Sequence, residues 1–170
     1  EFARPHGGVG GAYPAVDRDD QGDALGVQAL DGGRAQAIPV APYHYLCDGQ
    51  LTSCVPQPGT DRRLDAQGDK IMSRLVYRRL AGREMLVAVH SVNTAAGGGG
   101  VRWYELQVGK DRSLALAQQG TYAPGGFFRW MASPAIDKAG NIGIGYSFGG
   151  TPHFAGQRFD SQGIPGSRER

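Results

Sequence analysis

Pro134-Ala-Ile-Asp137-Lys-Ala-Gly140-Asn-Ile-Gly-Ile-Gly145-Tyr-Ser147 reads as two strands joined by a tight turn. Asp137 and Gly140 are turn formers, and the residues after them mix small and apolar types, as a packed strand does. The segment is one copy of a repeat. Pro14-Ala-Val-Asp17-Arg18 matches Pro134-Ala-Ile-Asp137-Lys138, and each copy runs on to a glycine, Gly22 or Gly140. A small-and-apolar strand follows in both, Asp23-Ala-Leu-Gly-Val27 and Asn141-Ile-Gly-Ile-Gly145. The middle of the chain keeps the same course more loosely, with Arg74 to Leu80, a turn at Gly82, and Glu84 to Val92. Ser91 pairs with Ser147 at a spacing of 56, and Tyr104-Glu105 with Phe159-Asp160 at a spacing of 55.

Working outward, the periodicity predicts strands throughout and no convincing helix. Met85-Leu-Val-Ala-Val89 is a continuous apolar run, as in a strand covered on both faces. Ile71 to Arg78, Val101 to Leu106, Leu114 to Gln119, Phe127 to Ile136, Asn141 to Phe148 and His153 to Phe159 complete the set. Tetraglycine Gly97 to Gly100 is expected to be a loop. Units of roughly 50–60 residues, each with three or four antiparallel strands, are close to propeller-blade periods. The expected fold is therefore all-β, about three β-propeller blades, with a β-sandwich as the alternative. Residues 12–70 would form a first, irregular blade, 71–126 a second and 127–163 a third, with tails at 1–11 and 164–170. Closed propellers typically hold about four to eight blades. Three would leave apolar faces and strand edges open. The chain is accordingly expected to be a fragment of a longer protein or part of an assembly, its partner being itself or the remainder of a parent chain.

Composition bounds the function. Hydrophobic residues make up 40%, enough for a folded core, although 28 glycines and 10 prolines resist helix. A net charge of +2 is too balanced to call for a nucleic-acid partner. No apolar run is long enough for a membrane span. Cys47 and Cys54 flank the turn-forming Asp48-Gly49 and are expected to form a disulfide, which places the protein outside the cytosol, secreted or periplasmic. A zinc site would need further ligands at short spacing, so no metal and no cofactor is expected. The chain opens at Glu1-Phe2-Ala3 with no signal-peptide pattern, as expected of a mature form or a piece made for expression.

The stretch 54–148 adds a resemblance. Its carriers are Cys54-Val-Pro-Gln-Pro-Gly-Thr60, Leu64-Asp-Ala-Gln-Gly-Asp-Lys-Ile-Met-Ser-Arg-Leu75 and His90-Ser-Val-Asn93. Gly100-Val-Arg-Trp-Tyr-Glu-Leu106, Gln119-Gly-Thr-Tyr-Ala-Pro124, Arg129-Trp-Met131 and Asp137-Lys-Ala-Gly-Asn-Ile-Gly-Ile-Gly-Tyr-Ser147 complete it. In that order these resemble a family of large, secreted, uncharacterised bacterial β-propeller proteins, whose members are much longer than this chain. The resemblance implies secretion and a propeller, and no substrate.

Residues that could carry chemistry are few. Arg74, Arg102 and Arg129 could grip a carboxylate in the manner of sialidase-like propellers, because each guanidinium donates two parallel hydrogen bonds. Tyr104 and Glu105, however, are consecutive in a strand and should point to opposite faces. The Asp-box of those enzymes is also missing from Asp137-Lys-Ala-Gly140. His90 extends the apolar strand from Met85 and is expected to be a hydrogen-bonded core residue. Asp17-Arg-Asp19-Asp20-Gln-Gly22-Asp23 imitates the start of a calcium loop, but Gln28 stands where a bidentate Glu belongs. Trp103, Tyr104, Phe127, Phe128 and Trp130 stand near arginines, and aromatic–arginine pairs suit sugar rings or protein surfaces. Blade-to-blade packing is the competing use. The candidate ligand-binding set is thus Arg74, Arg102, Trp103, Tyr104, Arg129 and Trp130. The expected function is a secreted module with a binding or structural role toward glycan or protein surfaces. The alternative is a sialidase-like glycoside hydrolase completed by missing blades or a partner.

Overall fold

A computed structural model describes residues 9–15, 21–29, 36–49, 53–72 and 75–160, the first two segments by backbone alone. Arg74, the acidic run Asp17–Asp20 and the segment 164–170 lie outside the described residues. The chain is all-β, with twelve strands in four antiparallel sheets and no α-helix among the described residues. The first sheet holds β1 (Val9–Ala15), β2 (Gln21–Ala29) and β3 (Gln36–His44). β4 (Ser53–Gln57) and β5 (Thr60–Asp65) form a separate hairpin. β6 (Val76–Leu80), β7 (Arg83–Asn93), β8 (Gly99–Val108) and β9 (Leu114–Tyr122) form a four-stranded sheet. β10 (Phe128–Ile136), β11 (Ile142–Gly150) and β12 (His153–Asp160) form the last. Every sheet is a meander, its neighbours in space also neighbours in sequence.

The repeated segments are the opening hairpins of these meanders, β1–β2 and β10–β11. In the second, Asp137 accepts the backbone N–H groups of Ala139 (2.8 Å) and Asn141 (2.9 Å), while Gly140 takes a φ of +89°. The aspartate thus satisfies amides that the tight turn cannot pair, and glycine supplies the left-handed residue.

The four-stranded sheet is the middle layer. On β7, eight consecutive residues from Met85 to Val92 are buried, because both faces are covered. Leu86, Ala88, Tyr104 and Leu106 pack with Ile38, Val40, Tyr43 and Tyr45 of the first sheet and its exit. Met85, Val87, Val89, Val101 and Trp103 pack with Ala132, Ile136, Ile142, Ile144, Tyr146 and Phe148 of the last sheet. Alternation along each strand sorts the side chains between the two cores. A third cluster, Leu46, Val55, Ala66 and Trp130, seats the β4–β5 hairpin on the outer face of the last sheet.

Two expectations need correction. Gly97 to Gly100 is not all loop: the turn ends at Gly98, and Gly99 and Gly100 open β8 as buried strand residues. A methyl at Gly99 would lie 2.9 Å from Leu46 Cδ2, and one at Gly100 2.9 Å from Ala123 Cβ. Glycine is there for close approach as well as for the turn. Nor is Ile71 to Arg78 one strand. Ile71 bridges His90, whereas in the β6 register it would stand opposite Val92, so the segment crosses β7 in two pieces.

Cys47 and Cys54 are bridged, with Cα atoms 5.8 Å apart. Cys47 and Asp48 take left-handed backbone angles in a short turn held by Asn93. The Asn93 Oδ1 accepts from Cys47 N (3.2 Å), and its Nδ2 donates to Asp48 Oδ1 (2.8 Å). Both cysteines of the unreduced, folded protein are expected to resist alkylation. Reduction is expected to lower the unfolding free energy by about 2.5 kcal/mol, the loop-closure value for so small a ring. Denaturant titration with and without reductant measures it, and rapid labelling of both thiols before reduction would contradict the bridge.

Candidate functional site

β9 ends at Tyr122, and the chain then crosses to β10 through Pro124 and Phe127. Arg129 stands opposite Phe148 in the β10–β11 register, and Tyr146 opposite Arg158 and Ile144 opposite Asp160 in β11–β12. Directly opposed residues share a face. Arg129, Tyr146, Phe148, Arg158 and Asp160 are therefore presented together toward the end of β9. With Tyr122, Pro124, Phe127 and His153 they line a cleft of about 480 Å³ between the two sheets.

Arg129 is the centre of the cleft. It is 4% exposed, yet has no acidic partner among the described residues. Its Nη2 donates to Pro124 O (2.5 Å) and its Nη1 more weakly to Phe127 O (3.4 Å), while the buried Nε makes no hydrogen bond. The guanidinium lies between the rings of Tyr122 and Phe148, 5.5 Å from each centroid. Arg158 lies over Phe148 at 4.1 Å. Aromatic faces offset part of the cost of a buried cation, but a buried charge is normally paired. The cleft's one carboxylate, Asp160, accepts a short hydrogen bond from Tyr122 Oη. Burial first, and then that bond, raises the Tyr122 pKa, so the phenol keeps its proton and donates. Phe127 and Phe148 flank the His153 ring at 4.9 and 5.8 Å. Two guanidinium groups, one buried donor without an acceptor and a wall of rings suit an anionic group carried on an apolar or ring-shaped body.

The remaining candidates from the sequence are placed elsewhere. Trp103 (1% exposed) fills the core between the middle and last sheets, and Trp130 (4%) the cluster under β4–β5. Tyr104 is fully buried on the opposite face of β8, where its Oη lies 2.9 Å from His90 Nε2. Arg102 stacks over Tyr104 and donates to Thr121 Oγ1 (3.1 Å), Ala41 O (3.1 Å) and Gln119 Oε1 (2.5 Å). That network ties β3 to the middle sheet. Burial raises the Tyr104 phenol above its ordinary range and lowers His90 to about 3, so both stay neutral. Arg102 and Arg129 thus face different cores and cannot grip one carboxylate together. Tyr122, Phe148, His153, Arg158 and Asp160 were not among the sequence candidates. The only signal for them was the i, i+2 spacing of Tyr146 with Phe148 and of Arg158 with Asp160, which acquires meaning once the register is fixed.

Among the described residues no group of three or more His, Cys, Asp or Glu side chains could hold a metal ion. No protein-family model matches the chain, and no match was found among curated proteins or solved structures.

Proposed function

We propose that this chain is part of a secreted β-propeller and that the Arg129 cleft binds a carboxylate-bearing sugar. The observation that carries the binding site is the buried guanidinium in a ring-lined cleft, without a counter-ion among the described residues. An acidic pyranose supplies both missing parts, a carboxylate for Arg129 and Arg158 and a ring face for Phe127, Phe148 or Tyr122. The propeller reading rests on the three larger meanders, which stack face to face in chain order, the β4–β5 hairpin standing outside that order. The location rests on the disulfide, which persists outside reducing compartments. The remaining blades would come from a second copy or from the rest of a longer parent chain. Glycoside hydrolysis would need a second carboxylate from outside this cleft, so binding is the reading the residues support.

Calorimetric titration with D-glucuronate and D-glucose tests the site. Glucuronate is expected to bind at least about tenfold more tightly, since a charged hydrogen bond contributes roughly 1.5–3 kcal/mol. Arg129→Gln is expected to erase the difference. Arg158→Ala, at an exposed position, is expected to reduce it severalfold without disturbing the fold. Equal affinity for the two sugars, or binding of neither, would overturn the reading.

A further inference from the structure

A second cleft lies at the side of the middle sheet that faces the last sheet. The turn through Ala81 to Arg83, the β8–β9 ladder and the Asp137–Asn141 turn enclose about 560 Å³ there. Glu105 stands on this cleft, only 5% exposed, while its chain neighbour Tyr104 points into the opposite core. The β8–β9 register shifts between Glu105 and Leu106, which sets Ala117 between the residues paired with them. Such bulges re-aim side chains. Here the bulge brings Gln118 alongside Glu105, and the Gln118 Nε2 donates a short hydrogen bond to Oε2. The other oxygen, Oε1, has, among the described residues, only Arg83 Nη2 at 3.5 Å. The Arg83 side chain is 64% exposed, so this ion pair is long, solvated and worth little.

A buried carboxylate with half of its acceptor capacity so poorly used stands to gain from a better donor. We propose that the Glu105 cleft is a binding site for a primary ammonium group, which displaces Arg83 and bonds Glu105 Oε1. Leu80 and Met85 supply an apolar wall for the methylene stem that such a group carries, and Gln107 adds a polar side chain to the lining. The ligand class is therefore an alkylamine, such as a lysine side chain of a partner. A metal ion is disfavoured by the donor set, which has one carboxylate and no cluster of three ligating side chains. An anion would meet the Glu105 charge. The site shares no residue with the Arg129 cleft and stands or falls separately.

The test is titration of the 170-residue chain with Nα-acetyl-lysine amide and, as the uncharged probe, Nα-acetyl-glutamine amide, at low ionic strength. The lysine probe is expected to bind saturably and at least about tenfold more tightly than the glutamine probe. Glu105→Gln keeps the shape and is expected to remove that preference. Arg83→Ala deletes the competing guanidinium from an exposed position and is expected to tighten lysine binding severalfold. This variant decides the matter even if Glu105→Gln fails to fold in a thermal melt. No preference for the lysine probe, a preference that survives in a folded Glu105→Gln, or weaker binding in Arg83→Ala would each overturn the proposal.

Discussion

Acidification from about pH 7 to about pH 4.5 is expected to remove roughly 3 kcal/mol of stability through His90 alone. Its ring is fully buried between the first and middle sheets, edge-on to Tyr43 at 4.5 Å and hydrogen-bonded to Tyr104. Burial, and then the Arg102 charge, lowers its pKa to about 3 from an ordinary value of 6.5. The unfolded chain takes up a proton below about pH 6.5 that the folded chain refuses until about pH 3. Stability is therefore complete above the unfolded value and falls as pH drops through that window, by about 1.4 kcal/mol per unit. Urea midpoints at a series of pH values give the slope. In His90→Gln, which keeps a polar group facing Tyr104, the slope between about pH 6.5 and 4.5 is expected to lose about one proton. The carboxylates Glu84, Asp111 and Asp137 have lowered pKa values, so their own losses come at lower pH and are common to both proteins. An unchanged slope in the variant would show that His90 does not set the acid limit.

The same strand illustrates what a sequence discloses. Met85 to Val89 read as covered on both faces because apolarity without alternation leaves no face for water, and eight buried residues in a row are the result. The turn at Asp137 and the disulfide across Asp48-Gly49 were legible for a similar reason: their chemistry is local. The clefts were not. Arg129 stands out in the sequence as one of a guanidinium trio and for its neighbours Phe128 and Trp130, yet Arg102 faces the other core, Trp130 points to the other face, and the rings that matter are Tyr122 and Phe148. They reach it through strand pairings and sheet packing that no short-range pattern encodes. Glu105 enters the sequence reading only as a pair with Tyr104, which is set aside because strand neighbours point to opposite faces; what makes it notable is a bulge on the next strand, at Ala117. Spacing also misled by one residue. Matching by residue type paired Tyr104-Glu105 with Phe159-Asp160, at 55. Matching by face pairs Trp103 with Phe159, at the spacing of 56 that also relates Ser91 to Ser147.

That correspondence leads to the expectation that the isolated chain does not persist as a folded monomer. Trp103 and Val87 and Val89 beside it cover the last sheet from the middle one. Their counterparts one unit later are Phe159, Gly143 and Gly145 on the outer face of the last sheet. Phe159 lies across Gly143, where a methyl would come within 2.8 Å of its ring, and it is 69% exposed. Phe154 (74%) and Met131 (49%) are exposed in the same sheet, and β12 is its edge strand, with the fourth-strand position that β9 fills in the middle sheet left open beside it among the described residues. Covering roughly 400 Å² of apolar surface at about 25 cal/mol per Å² gives on the order of 10 kcal/mol before association costs. An unpaired edge beside such a face favours further pairing. A second copy, or the rest of a parent chain, is the expected cover, as the next blade of the ring proposed above. Light scattering of dilute protein is expected to give a mass above 18.0 kDa. Phe159→Lys is expected to shift the population toward monomer and to lower the thermal midpoint, since a charged stem in that position resists burial. A compact, cooperatively melting particle of 18.0 kDa would eliminate the open stack of blades and make a closed sandwich the better account of the fold.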